Sequence, residues 1–297
     1  MDRRSTAVAR YAEVHRLAVA GREADIAREV GNRLCTAWLR TARFADVEAT
    51  ATATLTLGPD TVAFYQRGGA RFATGRPGPA LEDYQLALIR FRWAGNRRGE
   101  AATLSSIGRV HNGLGDLHEA MACYERALPI LREVGDPAGE ATALNNMGTA
   151  FAKLGDQERA LAVYELALAI SREIGDRVGE AATLNNIGSG YKALQDLERA
   201  LAFHEQALRI VLDTGHRPGE AVSRFNIAMI HRKRGDLDEA IHELEQVVEL
   251  DRQIGHPDLD ADNAVLEKVR EEKVVRACTG AVPDAGYVPG HDPTNER

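Results

Sequence analysis

Aromatic residues make up only 5% of this 297-residue chain, and its three cysteines, Cys35, Cys123 and Cys278, lie far apart without CxxC spacing. A β-sandwich core draws on Val, Ile and aromatic side chains, so a chain whose commonest apolar residue is alanine favours close helix–helix packing. Three scattered thiols do not build a disulfide framework and suit a reducing, cytoplasmic setting. No run approaches the roughly 18 uncharged apolar residues of a membrane span. Arg10, Glu13 and Arg16 interrupt the stretch where a signal peptide would carry its apolar region. Membrane, secreted and disordered classes are thereby excluded. Charge is plentiful, at 27% of residues and a net −7. The first hundred residues hold sixteen Arg and no Lys against eleven acids, a net +5 that leaves −12 for the remainder. A globally acidic chain is not expected to bind nucleic acid, which requires clustered Lys and Arg to release counterions. The basic first third reads as a solvated face or as a surface for an acidic partner. Heavy use of Ala, and of Arg over Lys, is the habit of a GC-rich bacterial genome.

What the chain has instead is self-similarity at a fixed step of 40 residues. Gly-Glu recurs at Gly99-Glu100, Gly139-Glu140, Gly179-Glu180 and Gly219-Glu220, and a second glycine series runs Gly95, Gly135, Gly175, Gly215 and Gly255. Each unit reads as two helices. In the copy from Gly135 to Ile174, Asp136 caps the first helix and Glu140 sits in its first turn, where the dipole favours negative charge. Leu144, Met147, Phe151 and Leu154 form one apolar stripe at helical spacing. Leu154-Gly155-Asp156 ends that helix and caps the next, whose buried face carries Ala160, Leu161, Tyr164, Ala167, Leu168 and Ile170. Asp116 with Glu119, and Asp236 with Glu239, have the spacing of a capping box.

Particular positions carry a family resemblance. A small residue stands late in the first helix (Gly108, Gly148, Gly188, Ala228), and Phe151 and Tyr191 follow three later, with His111 and His231 in their place in two copies. Alanine marks the closest helix contact at Ala120, Ala160, Ala200 and Ala240, with Tyr124 and Tyr164 four residues on. This pattern resembles the tetratricopeptide repeat in its longer, kinesin-light-chain-like variety, common in bacterial signalling and adaptor proteins. The resemblance implies an all-α fold, a right-handed α-solenoid of helix-turn-helix repeats closed by a C-terminal capping helix. Its expected organisation is an N-terminal helix in 1–27, two diverged units in 28–94, four 40-residue units in 95–255, a capping helix in 256–277 and a disordered tail in 278–297.

Stacked helix pairs place their first helices along a concave surface. Opposite the buried stripe, the helical angle places Thr142, Asn146, Thr149 and Lys153 in the groove, with Ser106 and Arg109, Asn186 and Ser189, and Asn226 and Lys233 in the other copies. Asn145, Asn185, Lys192 and Arg232 fall on its flank. A carboxamide matches the donor and acceptor pattern of a peptide group, so Asn146, Asn186 and Asn226 form a row suited to an extended chain's backbone. The resemblance implies the same, since kinesin light chains and Rap-type receptors hold peptides through asparagines at the matching position; Ser106 departs from it. Arg109, Lys153, Lys192, Arg232 and Lys233 favour a ligand with acidic side chains or a free carboxylate. Consensus polarity on a solvated helix face accounts for the same residues without a ligand. The expected function is therefore a non-catalytic adaptor or peptide receptor. A structural oligomerisation module, or a sensor whose effector lies on another chain, fits the repeats too, and the sequence leaves the oligomeric state open. Catalytic readings fail. His118-Glu119, His204-Glu205 and His242-Glu243 lack the second zinc-binding histidine, with Ala122, Leu208 and Gln246 standing there. Gly75-Arg76-Pro77-Gly78-Pro79 lacks the Gly-Lys-Ser/Thr of a phosphate loop. No metal or cofactor is expected.

Overall fold

The computed structural model describes residues 3–39, 41–255 and 258–279. Among these the chain is all α, with fourteen helices in consecutive packed pairs, the architecture of an α-solenoid. A first compact unit, Met1–Ile174, holds α1 (Arg3–Ala20), α2 (Ala24–Leu39), α3 (Phe44–Leu55), α4 (Thr61–Ala73), α5 (Pro77–Trp93), α6 (Arg97–Leu114), α7 (Leu117–Glu133), α8 (Pro137–Lys153) and α9 (Gln157–Glu173). A second, Gly175–Arg297, holds α10 (Arg177–Ala193), α11 (Leu197–Thr214), α12 (Arg217–Arg234), α13 (Leu237–Ile254) and α14 (Leu259–Thr279). The tail from Gly280 onward, expected to be disordered, lies outside the described residues.

In the first unit the hairpins are α2–α3, α4–α5, α6–α7 and α8–α9, preceded by α1; in the second they are α10–α11 and α12–α13, followed by α14. First helices also touch one another, α4 with α2 and α6, α6 with α8, and α10 with α12. They therefore share one face within each unit. Ala80, Ala120, Ala160, Ala200 and Ala240 are fully buried, at the position that lets the two helices of a hairpin approach. Opposite them, a Cβ on Gly108, Gly148 or Gly188 would stand 2.7, 2.6 or 2.8 Å from Tyr124, Tyr164 or His204, respectively. In the last hairpin both partners change together, Ala228 facing the position held by Leu244.

The Gly-Glu signature marks the junction between hairpins. The glycine amide donates to the N-cap side chain, as Gly139 N–H does to Asp136 Oδ1 at 3.0 Å. A Cβ there would collide with the preceding second helix, with Leu131 at 2.6 Å from Gly139 and Phe91 at 2.4 Å from Gly99. The glutamate pairs with arginine, Arg132 Nε donating to Glu140 Oε1 at 2.6 Å and Arg92 Nε to Glu100 Oε1 at 2.8 Å.

Second-helix caps depart from expectation in an orderly way. Asp156 accepts from the Arg159 amide at 3.0 Å and Asp196 from the Arg199 amide at 3.0 Å. Asp116 and Asp236, the two residues with capping-box spacing, make no cap bond. They turn back to histidine instead, with His111 Nδ1 3.2 Å from Asp116 Oδ2 and His231 Nδ1 3.6 Å from Asp236 Oδ2. Where the histidine position is aromatic, an arginine covers the ring, Arg159 5.1 Å from the Phe151 centroid and Arg199 4.7 Å from that of Tyr191. Removing a working cap should thus cost more than removing an idle one. Asp156→Ala is expected to lose about 1 kcal/mol and Asp116→Ala less than half of that, as measured by urea denaturation. Equal losses would contradict this assignment of caps.

Candidate functional site

In the first unit, the shared face of α4, α6 and α8 carries two open cavities. One, of about 340 Å³, is bordered by Ser106, Thr142 and Asn146, and the other, of about 440 Å³, by Leu39, Phe44 and Phe72; Tyr65 and Arg109 border both. Asn146 is half-buried and Arg109 exposed. The Arg109 guanidinium lies 5.3 Å from the Phe72 ring centroid, a cation–π contact that fixes it between the cavities. Ser106, where the asparagine row breaks, is buried with its Oγ 3.2 Å from the Tyr65 hydroxyl. One period earlier stands Gln66, a buried carboxamide whose Nε2 donates to Asn32 Oδ1 at 2.6 Å. The 40-residue step from Ser106 points to Gln66, and it belongs to the same polar column. Lys153 Nζ donates to the Asn112 carbonyl at 2.9 Å, satisfying a last-turn carbonyl of α6. Asn145 is half-buried beside Asn146, and its carbonyl accepts from Thr149 Oγ1 at 3.1 Å.

In the second unit Asn186 and Asn226 are half-buried on α10 and α12. Asn226 borders a cavity of about 260 Å³ with Phe225 and Val247, and with Asp251, Asp258 and Asp262. Its surroundings are acidic, so the expected preference for an acidic ligand does not extend to this end of α12. Positive charge sits at the helix C-termini. Burial, and then the charge of Lys233, hold the Lys192 ammonium below the ordinary lysine range. Lys233 donates to Gln195 Oε1. Arg232 is committed to packing, gripping the Glu272 carboxylate on α14 with Nε at 2.9 Å and Nη2 on the other oxygen.

Asn185 corrects the sequence expectation most clearly. It is buried rather than on the groove's flank, because α11 places a histidine beneath it. Its Nδ2 donates to Ser223 Oγ at 2.9 Å, and Ser223 Oγ donates to the Gly219 carbonyl at 2.9 Å. Asn185 Oδ1 is then the acceptor for His204 Nδ1–H at 2.8 Å. This chain fixes the histidine tautomer and leaves Nε2, with no hydrogen-bond partner, against Gly188. His204 is fully buried, and desolvation followed by the charge of Lys192 lowers its pKa to about 4.

No group of three or more His, Cys, Asp or Glu among the described residues could hold a metal ion, and no described helix is long and apolar enough to cross a membrane. Cys35 behaves as a buried hydrophobe, its thiol pushed up to about 12 by desolvation, and Cys123 is half-buried and shifted in the same direction for the same reason. The tetratricopeptide repeat family model matches residues 60–133, 100–173, 139–213 and 179–253. The chain belongs to the tetratricopeptide repeat family. A comparison with curated protein sequences returns no significant match. Among solved structures, this tetratricopeptide repeat protein is similar to BtubC (BKLC) from P. vanneervenii, at 21% identity and a TM-score of 0.56 over 77% of this chain and 92% of that one. It is also similar to a Rap protein complexed with competence and sporulation factor, at 15% identity and a TM-score of 0.67 over 93% and 88%. A third is the STAND protein with a tetratricopeptide repeat sensor, PH0952 from Pyrococcus horikoshii, at 15% identity and a TM-score of 0.65, covering 87% of this chain and 42% of that one. At these identities the likeness is one of fold.

Proposed function

We propose that this protein is a non-catalytic interaction module, an adaptor or peptide receptor working in the reducing cytoplasm, that takes an extended peptide along its first-helix faces. The observation that carries the reading is Asn146, half-buried at the rim of the 340 Å³ cavity beside Arg109 and Thr142. Asn186 and Asn226 repeat that position in the second unit. In the adjacent-asparagine pair of α10 the two side chains differ, since Asn185 is consumed by packing and Asn186 lies on the more open side. A solved neighbour complexed with competence and sporulation factor, and another described as a sensor, support a ligand-receiving role. Arg109, Lys192 and Lys233 favour acidic groups on the ligand, and the carboxylates around Asn226 favour a basic one there. Lys153, Asn185 and Arg232 serve mainly to hold the helices, and Asn145 flanks the row beside Asn146.

The test is a peptide selected from a displayed library on the wild-type protein, then titrated calorimetrically into single and triple Asn→Ala variants at 146, 186 and 226. An unmet peptide group costs roughly 1–3 kcal/mol, so each substitution is expected to weaken binding about ten- to a hundredfold, and the three together to abolish it. Stability should change by only about 0.5 kcal/mol or less per site. A folded triple variant that binds the selected peptide as tightly as wild type would overturn the reading.

A further inference from the structure

The outward face of α5 differs from every later second helix. Leu86, Ile89 and Trp93 are 45%, 63% and 90% exposed, and they fall within one narrow stripe at i, i+3 and i+7. At the Trp93 position the later repeats carry Glu133, Glu173, Asp213 and Gln253, and at the Ile89 position Pro129, Ala169, Arg209 and Glu249. At the Leu86 position they carry Arg126, Leu166, Gln206 and Gln246, so no later second helix has all three positions apolar and nothing in the hairpin's own packing calls for the full stripe. Exposed tryptophan is costly to leave in water, and adjoining apolar side chains on one face mark an interaction surface.

The charges around the stripe indicate its occupant. Glu82 stands on the same stripe at its N-terminal end and is exposed, and Arg98 is exposed just past Trp93 at the other end, where Arg92 and Arg97 are already paired with Glu100 and Glu133. Laid antiparallel against a second copy of itself, the helix sets acid against base at both ends and Leu86 near Ile89 across the two-fold axis. Laid parallel, it would set like charge against like. We propose that α5 is a self-association face, through which two copies of this chain pair with their α5 helices antiparallel. The surface is isologous, as a two-fold dimer requires. Three side chains of one helix bury less than the roughly 800 Å² per partner of a standard interface. The pair is therefore weak, with a Kd on the order of 1–100 μM. It uses a second helix and does not depend on the peptide-binding reading of the first-helix faces.

Sedimentation velocity on the full chain tests it over a concentration series spanning about 1–200 μM. Wild type should rise from the 32.3 kDa monomer toward twice that mass. Trp93 emission should shift to the blue in parallel, against a constant signal from the buried Trp38. The triple variant Leu86→Arg, Ile89→Arg, Trp93→Glu should stay monomeric with unchanged circular dichroism, because other repeats bear Arg126, Arg209 and Glu133 at those positions. Glu82→Arg should weaken the dimer at least about tenfold, and adding Arg98→Glu should restore it. A wild type that stays monomeric throughout would overturn the proposal, as would a dimer that survives the triple variant. So would a dimer lost on Tyr11→Glu with Leu17→Glu instead, which would place the pairing on the exposed face of α1.

Discussion

Replacing Gly148 by alanine is expected to destabilise the protein by about 1–2 kcal/mol, although alanine is the better helix former by roughly 1 kcal/mol. The reason is the neighbour. The added Cβ would lie 2.6 Å from Cε1 and 2.7 Å from Cδ1 of Tyr164. That ring is buried, and its hydroxyl donates to Thr149 Oγ1 at 3.2 Å, so it has little freedom to retreat. Overpacking of this kind typically costs about 1–3 kcal/mol. The last hairpin supplies the control, since Ala228 is accommodated where the facing residue is Leu244. In a Tyr164→Leu background the sign should therefore reverse, and Gly148→Ala should stabilise by up to about 1 kcal/mol. Urea denaturation of the four members of this cycle checks it. If alanine were equally costly with leucine at 164, the glycine would be answering to something other than the ring.

The glycine–tyrosine register was legible in the sequence because each partner recurs at the repeat period, so four imperfect copies report on a single contact. What the period does not carry was not legible. The helical angle places Asn185 on the groove's flank. It contains no information on α11, where tyrosine gives way to His204 and draws the carboxamide inward. Arg232 looked like groove charge until α14, a helix outside the repeat, brought Glu272 to it. The acidic wall near Asn226 also comes partly from residues beyond the last repeat, Asp258 and Asp262. The capping box at Asp116 failed for a local reason, because His111, five residues upstream, takes its carboxylate, and His231 stands in the same place beside Asp236. Each of these misses occurs where a copy departs from its siblings or where a terminal helix intrudes. Gln66 was missed although the period carries it, since the step of 40 from Ser106 leads to it.

His204 should make the second unit acid-sensitive. Its Nδ1–H is committed to Asn185, so an added proton must go to Nε2, which is buried against Gly188 with no acceptor. Burial first, and Lys192 second, lower its pKa to about 4 from the ordinary 6.5. A depressed histidine pKa means that the folded state binds fewer protons than the unfolded chain at intermediate pH. Its contribution is fully present above about pH 6.5 and is lost as pH falls toward 4. At about 1.4 kcal/mol per pKa unit, the loss is on the order of 3 kcal/mol. Carboxylates throughout the chain titrate in part of the same range, so the contribution is read as a difference. His204→Tyr restores the residue found at 84, 124 and 164, and its hydroxyl can reach Ser189 as Tyr164 reaches Thr149. The variant leaves Asn185 Oδ1 without its donor, which adds an offset independent of pH. Urea denaturation at pH 7 and pH 4 should show wild type losing about 3 kcal/mol more than His204→Tyr. Parallel pH profiles for the two proteins would mean that this histidine takes up its proton without leaving the fold, and that Nε2 finds an acceptor when it does.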